Sequence, residues 1–459
     1  MGTIEIIDTI ECRTEPAFAS IIRPCLSYTA VFYQNGLYRK VRKEYQKSTM
    51  SKGTNCYYFY TGLLPRVLKY CEEKNVPVKI KGKQERLDHF EPKLDSSIFT
   101  DEERKNLQLR QIEKAIKDHR GVIVAPTGLG KTLTGLAIIS AFIIHKYIKV
   151  LWLCHTKDLM YQSGEEAKNK FGLEVGYIGD GHFDFSKQLT VATRQSFVKC
   201  VLEIGSEFDV VLVDEVHHLT SFEGEYTDIL KYVFAPVRLG LTATPPKKEE
   251  ARLAMEAFIG PVIDQITTSE GQRKGLIANM KLRFLRIPTD HKIRDLRRYA
   301  DVYDAAVTNR NAQHSIIVSK TKEHIDRGDS VLIIVHRINH GQNILHECKK
   351  QGVNVFFAQG LTEGSVRQKV KEALNEKKVP CVIATTIWKE GVNIPELNVI
   401  INAAGGKSEI ATLQTLGRGL RVTERKKELI LYDTFDNSHP YLVSHLGERL
   451  CVYSDEGWL

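Results

Sequence analysis

The stretch that decides the fold is Gly121-Val-Ile-Val-Ala-Pro-Thr-Gly-Leu-Gly-Lys-Thr132, which is followed by the apolar run 133–144. An apolar strand that enters a glycine-containing turn, ends in Lys-Thr and continues as a helix is typical of a phosphate-binding (Walker A) loop. The alternative is a glycine turn before a packed helix, with an accidental Lys-Thr pair. The stretch therefore predicts an α/β domain with a nucleotide at the end of its first strand.

The residue types in this turn match the chemistry of a nucleoside triphosphate. Thr127, Gly128 and Gly130 lie where backbone N–H groups face phosphate oxygens. Lys131 would neutralise the charge of the β and γ phosphates, and the Thr132 hydroxyl would ligate Mg²⁺. The N-terminus of the following helix adds its dipole.

A second strand supplies the carboxylates that such a site needs. The segment 208–213 reads Phe-Asp-Val-Val-Leu-Val, and Asp214-Glu215-Val216-His217 follows at once. An apolar run before two acids is typical of a buried parallel strand. We expect Asp214 to hold Mg²⁺ through water and Glu215 to orient and deprotonate the attacking water. Taken alone, the string also fits a solvated strand end.

Several further segments occur in an order that resembles the motifs of superfamily 2 helicases of the DExH type, of which Asp214–His217 is similar to motif II. The segments are Val150–Gln162, Val191–Phe197, Leu241–Pro245, Val331–His336, Ile383–Pro395 and Gln414–Arg421. The resemblance covers roughly residues 105–435. It implies two tandem RecA-like, doubly wound parallel-sheet lobes that use ATP and Mg²⁺.

The resemblance also implies roles for residues of the second lobe and for coupling residues. Arg418 and Arg421, preceded by Gln414, look like arginine fingers that stabilise charge in the transition state, although a pair three apart also fits a solvated basic helix face. Gly391 is implied at the nucleotide, and we take Gln111 as the candidate for adenine. The residues implied in nucleic-acid contact or coupling are Thr156, Arg194, His217, Thr242, Thr244 and Thr385. Without the resemblance, the threonines at 242 and 244 would also fit ordinary strand-end caps.

The alternation of strands and helices predicts the domain organisation. Apolar strands are predicted at 122–125, 150–154, 189–193, 209–213 and 238–242, and again at 331–335, 353–357, 380–384, 398–402 and 428–432. We expect an α/β protein with an accessory domain at 1–95, a first lobe at 96–285 that binds ATP, and a second lobe at 286–459. A soft prior of about 150 residues per domain agrees with three units.

Residues 1–95 contain none of these motifs and are long enough to fold alone. A strand at 57–60, a helix at 63–73 and a strand at 76–80 predict a small α+β module, similar to the accessory domain of UvsW-type phage branch-migration helicases. The region after 258 also resembles UvsW-type and XPB-type enzymes. Arg39, Lys40, Arg42 and Lys43 are predicted to form a basic DNA-contacting loop. The aromatic strand fits sheet packing better than base stacking.

Composition sets the remaining limits. Of 459 residues, 42% are hydrophobic and 26% charged, the net charge is +9, and the nine cysteines show no zinc spacing. No apolar run approaches the roughly 20 residues of a membrane span, and the N-terminus lacks a signal pattern. We expect a cytoplasmic monomer without membrane contact, located in a bacterial host if it is phage-encoded.

These features together favour an ATP-dependent DNA helicase or translocase that remodels branched DNA, such as forks and Holliday junctions, in repair or recombination. The expected partners are ATP and branched or forked duplex DNA. An RNA helicase of the same superfamily and the motor subunit of a restriction-type complex stay open as alternatives. Measuring ATPase stimulation by duplex DNA, branched DNA and RNA discriminates between them.

Overall fold

The structure is a computed structural model. It describes residues 2–35, 40–84, 86–87, 102–126, 128–143, 147–359, 364–385, 394, 396–405, 428–455 and 458–459. Two compact units are present, one of Met1–Ala125 with Gly130–Gln265 and one of Ile266–Leu459 with Pro126–Leu129.

Within the described residues, the N-terminal module of the first unit contains seven short strands and two helices. The strands are β1 (Gly2–Ile6), β2 (Glu11–Thr14), β3 (Ser27–Asn35), β4 (Lys40–Ser48), β5 (Ser51–Lys52), β6 (Tyr57–Tyr60) and β7 (Val78–Lys81), and the helices are α1 (Pro16–Ile22) and α2 (Leu64–Glu73). Five strands form a sheet in the order β5-β6-β2-β1-β7, whereas β3 and β4 pair with each other and with no other described strand. The predicted strand, helix and strand at 57–80 are all present within two residues of their expected bounds.

The basic cluster lies mainly on a strand, which corrects the loop that we expected. Lys40, Arg42 and Lys43 belong to β4, which pairs antiparallel with β3 over nine residues from Ser27↔Ser48 to Asn35↔Lys40. Cross-strand pairing holds a charged sequence in extended form because its backbone groups are paired whatever its side chains are. The prediction for Arg39 lies outside the described residues.

The first lobe carries an eight-stranded sheet that positions the candidate site. Its strands are β8 (Arg120–Val124), β9 (Val150–Cys154), β10 (Val175–Gly179), β11 (His182–Phe183), β12 (Leu189–Thr193), β13 (Val210–Asp214), β14 (Val237–Thr242) and β15 (Val262–Gln265). The order is β11-β10-β12-β9-β13-β14-β8-β15, and every pair except β10 with β11 is parallel. All five predicted strands of this lobe are present.

Helices cover both faces of this sheet, as the fully buried strands require. They are α3 (Glu102–Asp118), α4 (Lys131–Ile143), α5 (Lys157–Phe171), α6 (Arg194–Phe197), α7 (Val201–Ile204), α8 (Glu225–Tyr232) and α9 (Glu249–Phe258). One apolar core lies under α3, α4 and α5 and includes Phe142 and Trp152, both fully buried.

The core on the other face is shared with the N-terminal module. It joins Ile4, Phe18 and Phe59 of the module to Val211 and Phe258 of the lobe. The contact is close, because a Cβ at Gly62 would lie 2.1 Å from the carbonyl oxygen of Glu256. The module is therefore an integral part of the first unit, which differs from the independently folding domain that we expected.

Charged and polar side chains complete this junction. Arg66 of α2 donates two hydrogen bonds to the Glu256 carboxylate, at 2.6 and 2.9 Å, and a third to Glu249 at 3.2 Å. The Tyr28 hydroxyl lies 3.0 Å from the Glu250 carboxylate. Three acids of α9 thus hold the module in register on the lobe.

The second unit has a six-stranded sheet in the order β16-β21-β20-β17-β19-β18, in which all the described pairs are parallel. The strands are β16 (Asn279–Arg286), β17 (Val331–Ile334), β18 (Phe356–Ala358), β19 (Cys381–Ala384), β20 (Val399–Asn402) and β21 (Glu428–Phe435). The helices are α10 (Thr268–Arg273), α11 (His291–Arg294), α12 (Tyr299–Tyr303), α13 (Asn311–Asp326), α14 (Ile338–Lys350), α15 (Gly364–Asn375) and α16 (Pro440–Asp455).

The compact units of the structure divide earlier in the chain than the boundary that we predicted between 285 and 286. Strand β16 ends at Arg286 but pairs with β21 of the second sheet over eight residues, and the second unit already begins at Ile266. The reason is that an edge strand takes its sheet from its pairing partner, here about 150 residues later in the chain, and such a partner leaves no mark in the local pattern.

Candidate active site

The phosphate-binding loop joins β8 to α4 at the carboxyl end of the sheet. Gly128 and Gly130 have φ angles of +92° and +83°, a backbone region in which side chains are strained. A Cβ at Gly130 would also lie 2.8 Å from Gln108 Nε2. The positive φ is what favours glycine at position 130, whereas the Gln108 side chain could turn away from an added Cβ. Thr127 lies outside the described residues.

Lys131 and Thr132 form the first turn of α4, where free backbone N–H groups and the helix dipole favour an anion. Lys131 has only 9% of its surface exposed, and Thr132 is half-buried. A nearly buried ammonium group needs an anionic partner. The two acids at the end of β13 supply that charge within the protein, since Lys131 acts on the pKa of both.

Asp214 ends β13 and Glu215 follows it directly, and β13 is separated from β8 by the single strand β14. Asp214 is 4% exposed, and its Oδ1 accepts a hydrogen bond of 2.9 Å from the Glu215 backbone N–H. Glu215 has a φ of +51°, a left-handed conformation that costs a non-glycine residue about 1 kcal/mol or more. This backbone turn takes Glu215 out of the strand direction and leads into a 3₁₀ turn at Val216–His218.

The two adjacent carboxyl groups differ in acidity. Burial, together with the neighbouring Glu215 charge, raises the pKa of Asp214 above its usual range. Burial acts in the same direction on Glu215, but Lys131 and the hydrogen bond from His217 outweigh it and lower the pKa of that carboxyl. Glu215 is thus the readily ionised carboxylate of the pair, and Asp214 is the one whose ionisation an added cation would favour.

These residues fit ATP with Mg²⁺. Carboxylate and hydroxyl oxygens from Asp214 and Thr132 are the ligands that Mg²⁺ prefers, and the start of α4 with Lys131 fits phosphate. Glu215 Oε2 is buried, with His217 Nδ1 3.3 Å away, and a carboxylate oxygen in contact with one donor keeps the capacity to accept a further hydrogen bond from water. Bound Mg²⁺ supplies charge neutralisation of the phosphates and electrophilic assistance to their transfer.

His217 connects this acidic pair to the end of β14. Its Nδ1 lies 3.0 Å from Thr242 Oγ1 and 3.3 Å from Glu215 Oε2. The Thr242 hydroxyl also lies 3.2 Å from the Thr244 carbonyl, to which it donates, which leaves His217 Nδ1 as the donor to Thr242. The Thr244 hydroxyl is buried without a hydrogen-bond partner among the described residues. The structure thus brings together three of the predicted coupling residues.

A glutamine that the sequence did not single out contacts the phosphate loop. Gln108 of α3 donates from Nε2 to the Gly130 carbonyl and to Thr134 Oγ1, each at 3.2 Å. Gln111, our candidate for adenine, lies one helical turn later, is 1% exposed, and has a buried Nε2 without a hydrogen-bond partner in the described chain. Its role stays a prediction. The one sequence signal for Gln108 was its position, three residues before Gln111.

Other predicted residues are placed individually. Thr156 caps α5, where its side chain accepts from the Leu159 N–H at 3.3 Å. Arg194 follows β12 and is ion-paired with Glu225. Thr385 follows β19 in the second unit, 5% exposed, and its hydroxyl has no hydrogen-bond partner within the described ranges. Their proposed nucleic-acid contacts stay predictions.

The remaining predicted site residues belong to the second lobe and to the basic cluster. The predictions for Gly391, Gln414, Arg418 and Arg421 lie outside the described residues. Of the basic cluster, Lys43 has an exposed side chain on β4.

Fold and site together define a phosphate-loop nucleotide-binding protein with two parallel-sheet lobes. Residues 99–247 match the family described as type III restriction enzyme, res subunit, and residues 308–423 match the helicase conserved C-terminal domain, so that the two matches span more than half of the chain. The chain belongs to the superfamily 2 helicases. The resemblance and the fold class inferred from the sequence are thereby confirmed.

Individual relatives agree with this membership. The chain is 27% identical to the DNA 3'-5' translocase XPB2 of Sulfurisphaera tokodaii, over 72% of this chain and 81% of that protein. It is 22% identical to the ATP-dependent DNA helicase uvsW of Enterobacteria phage T4, over 75% of this chain and 73% of that protein. A solved structure of Saccharomyces cerevisiae Dbp5 bound to RNA and ADP BeF3 shares the fold, with a TM-score of 0.57 and 12% identity over 80% of this chain and 93% of that one.

Within the described ranges, no helix combines the length and the apolar composition that a membrane span requires.

Proposed function

We propose that the protein is an ATP-dependent DNA translocase that remodels branched DNA, including forks and Holliday junctions. The observation that carries the ATPase part is the contact between the acidic pair and β14, in which His217 Nδ1 lies 3.0 Å from Thr242 Oγ1. A site that only binds a nucleotide does not need such a contact. A motor does need one, because the presence or absence of the γ-phosphate must change the conformation of the surrounding lobe.

Within this proposal, each residue of the site has a defined task. Lys131 and the start of α4 bind the phosphates, Asp214 and Thr132 hold Mg²⁺, and Glu215 orients water and accepts its proton. His217 and Thr242 transmit the conformational change that accompanies ATP hydrolysis from Glu215 to the rest of the lobe. Arg418 and Arg421 are proposed to stabilise transition-state charge, because planar guanidinium groups suit phosphate oxygens.

The names of the relatives support DNA rather than RNA as the substrate, since XPB2 and uvsW are both described as acting on DNA. The RNA-bound Dbp5 structure supports the shared fold alone. An RNA helicase of the same superfamily is the second candidate, because the nucleotide site alone does not distinguish the two nucleic acids. A restriction-type motor is the third, because the family description matched by residues 99–247 is that of a restriction enzyme subunit.

The β3–β4 hairpin is the element that we propose for the choice of branched DNA. It is a two-stranded ribbon that pairs with no other described strand, and β4 carries Lys40, Arg42 and Lys43. A ribbon of this kind can lie along a duplex and contact phosphates through its basic residues. Such contacts position a protein on DNA, and a junction presents more backbone within reach than a linear duplex does.

A panel of nucleic acids tests the proposal. Steady-state ATP hydrolysis is measured with linear duplex, forked duplex, four-way junction and RNA of matched sequence, and junction strand exchange is followed in parallel. We expect the strongest stimulation and ATP-dependent strand exchange with the branched DNAs. Stimulation by RNA alone would favour the second candidate, and no stimulation by any of them would contradict a motor function.

A further inference from the structure

Side chains that follow neighbouring strands of the first sheet meet in a row along its carboxyl edge. The strand order there is β12-β9-β13-β14. Arg194 follows β12, His155 follows β9, His218 lies in the turn after β13, and Thr242 ends β14. Because parallel strands end at the same edge, residues that are far apart in sequence become lateral neighbours.

The contacts at one end of the row involve Arg194. Its Nε donates to His155 Nδ1 at 3.1 Å, and its terminal nitrogen pairs with the Glu225 carboxylate at the start of α8. The guanidinium also lies over the Tyr226 ring, 5.7 Å from its centroid. Since a guanidinium is planar and rigid, the donor to His155 and the donor to Glu225 move together.

The middle of the row is a stack of two imidazole rings. His155 and His218 lie parallel, with ring centroids 3.7 Å apart and planes at 3°. His218 in turn lies beside His217, at 4.3 Å and 34°. Because His217 contacts both Glu215 and Thr242, an unbroken series of side-chain contacts runs from Arg194 to the acidic pair.

The stacked rings are held neutral by their surroundings. His155 Nδ1 accepts the hydrogen bond from Arg194, and an acceptor nitrogen carries no proton. Burial, aided by Arg194 and His217 and opposed by Glu215, lowers the pKa of His155 to about 4. Burial, aided by His217, His155 and Arg194 and opposed by Glu215, lowers the pKa of His218 to about 3. Two neutral rings can stack face to face without charge repulsion.

We propose that the His155–His218 stack is a positioning device that transmits nucleic-acid binding at Arg194 to the hydrolytic acid Glu215. This inference rests on the proposed function and on the nucleic-acid contact that the helicase resemblance implies for Arg194. A phosphate oxygen that replaces the Glu225 carboxylate turns the guanidinium and with it the hydrogen bond to His155. The displaced ring moves the ring stacked on it, and the 3₁₀ turn that carries His217 follows.

Matched substitutions separate the two contacts of His155. His155→Phe keeps a flat ring for the stack but removes the acceptor for Arg194. His155→Asn places an amide oxygen near the position of Nδ1 but removes the stacking ring. His218→Phe keeps a ring against His155, whereas His218→Ala does not. His182→Ala is the control, because His182 is an exposed histidine of the same lobe on β11 and lies outside the row.

The experiment measures ATP hydrolysis of each purified variant with and without saturating linear duplex DNA. His155 and His218 are expected to contact neither nucleotide nor nucleic acid, so the DNA-free rate of each variant should stay within about twofold of the wild type. His218→Ala, His155→Asn and His155→Phe should reduce the stimulation by DNA about 5- to 30-fold. His218→Phe should retain it, and His182→Ala should behave as wild type. The double variant His155→Asn with His218→Ala should lose no more stimulation than either of these two single variants, as members of one series do.

Two results would overturn the inference on its own while the wild type remains stimulated. One is full stimulation in all folded variants. The other is a proportional loss of DNA-free and DNA-stimulated rates, which marks a role in stability only. A wild type that hydrolyses ATP without any response to nucleic acid would instead contradict the proposed function, and this inference would fall with it.

Discussion

Asp214 and Glu215 illustrate at the residue scale how neighbours in sequence acquire different chemistry. Asp214 stays in the buried strand, and its carboxyl is kept from ionising easily, whereas the left-handed backbone at Glu215 turns that carboxyl toward Lys131 and His217. An apolar run before two acids predicted both residues. It did not predict the turn, because a positive φ at a glutamate has no sequence signal. It also did not predict the His155–His218 stack, which arises only from strand order.

Glu215→Gln should bind ATP and hydrolyse it about 10²- to 10⁴-fold more slowly, because the amide keeps the shape of the side chain but cannot accept the proton of water. Single-turnover hydrolysis and nucleotide affinity are measured together. Glu223→Gln serves as the control, since Glu223 has an exposed carboxylate, 88% accessible, in the same lobe. Normal turnover in a folded Glu215→Gln protein would show that another group is the base.

Arg238→Met should destabilise the first unit by about 3 kcal/mol, because three buried carbonyl groups lose their donor. The Arg238 side chain is fully buried and donates to the carbonyls of Phe258, Val233 and Leu230 at 2.6, 2.5 and 2.8 Å. Urea unfolding measures the change, with Arg252→Met as the half-exposed control. An unchanged midpoint would mean that the site relaxes around the methionine.

At the element scale, strands were predicted best and pairing partners worst. β9 and β12 have the bounds that were expected, because a strand buried on both faces must be an uninterrupted apolar run. β4 was missed because its charged sequence resembles a loop, and its extended form comes from pairing with β3. Gln108 was missed for a related reason, since its contact with Gly130 joins α3 to a loop about twenty residues later.

Helix α14 carries a buried histidine that predicts how the second unit responds to acid. His340 is fully buried, and burial, with a smaller contribution from His314, lowers its pKa to about 3. The unfolded chain therefore binds a proton near pH 6.5 while the folded chain does not, so stability falls as the pH falls from 6.5 toward 3. The loss from this group is about 1.4 kcal/mol per pH unit within that window.

His340→Phe should remove this component, so that its stability relative to the wild type rises as the pH is lowered from 7 to 5. Urea midpoints at several pH values measure the difference. His346→Phe, on the exposed side of the same helix, is the control and should follow the wild type. Parallel curves for His340→Phe and the wild type would show that His340 becomes protonated without cost in the folded protein.

At the scale of the whole molecule, the two-lobe class was predictable and the integration of the N-terminal module was not. Eight motifs in order, the phosphate loop included, identify the lobes, whereas the shared core that includes Phe59 and Phe258 depends on which surfaces meet. Removal of residues 1–95 would expose that core. Substitution of surface charges is therefore the better test of the module than deletion.

Changing Arg39, Lys40, Arg42 and Lys43 together to alanine should weaken binding to a four-way junction more than binding to linear duplex. The slope of log affinity against log salt should fall by about 0.9 for each phosphate contact that is lost. The charge-matched control changes Lys74, Lys79, Lys81 and Lys83, which are exposed on the same module. Equal losses in the two quadruple variants would assign the effect to net charge rather than to the hairpin.

In the proposed function, the acidic pair and the phosphate loop form a motor site whose ATP hydrolysis is stimulated by branched DNA. The most direct measurement is ATP hydrolysis by the wild type with a four-way junction, a linear duplex and RNA of matched sequence, with Lys131→Ala as the background. We expect junction-stimulated hydrolysis that Lys131→Ala abolishes. Hydrolysis that is unaffected by DNA, or that persists in a folded Lys131→Ala protein, would contradict it.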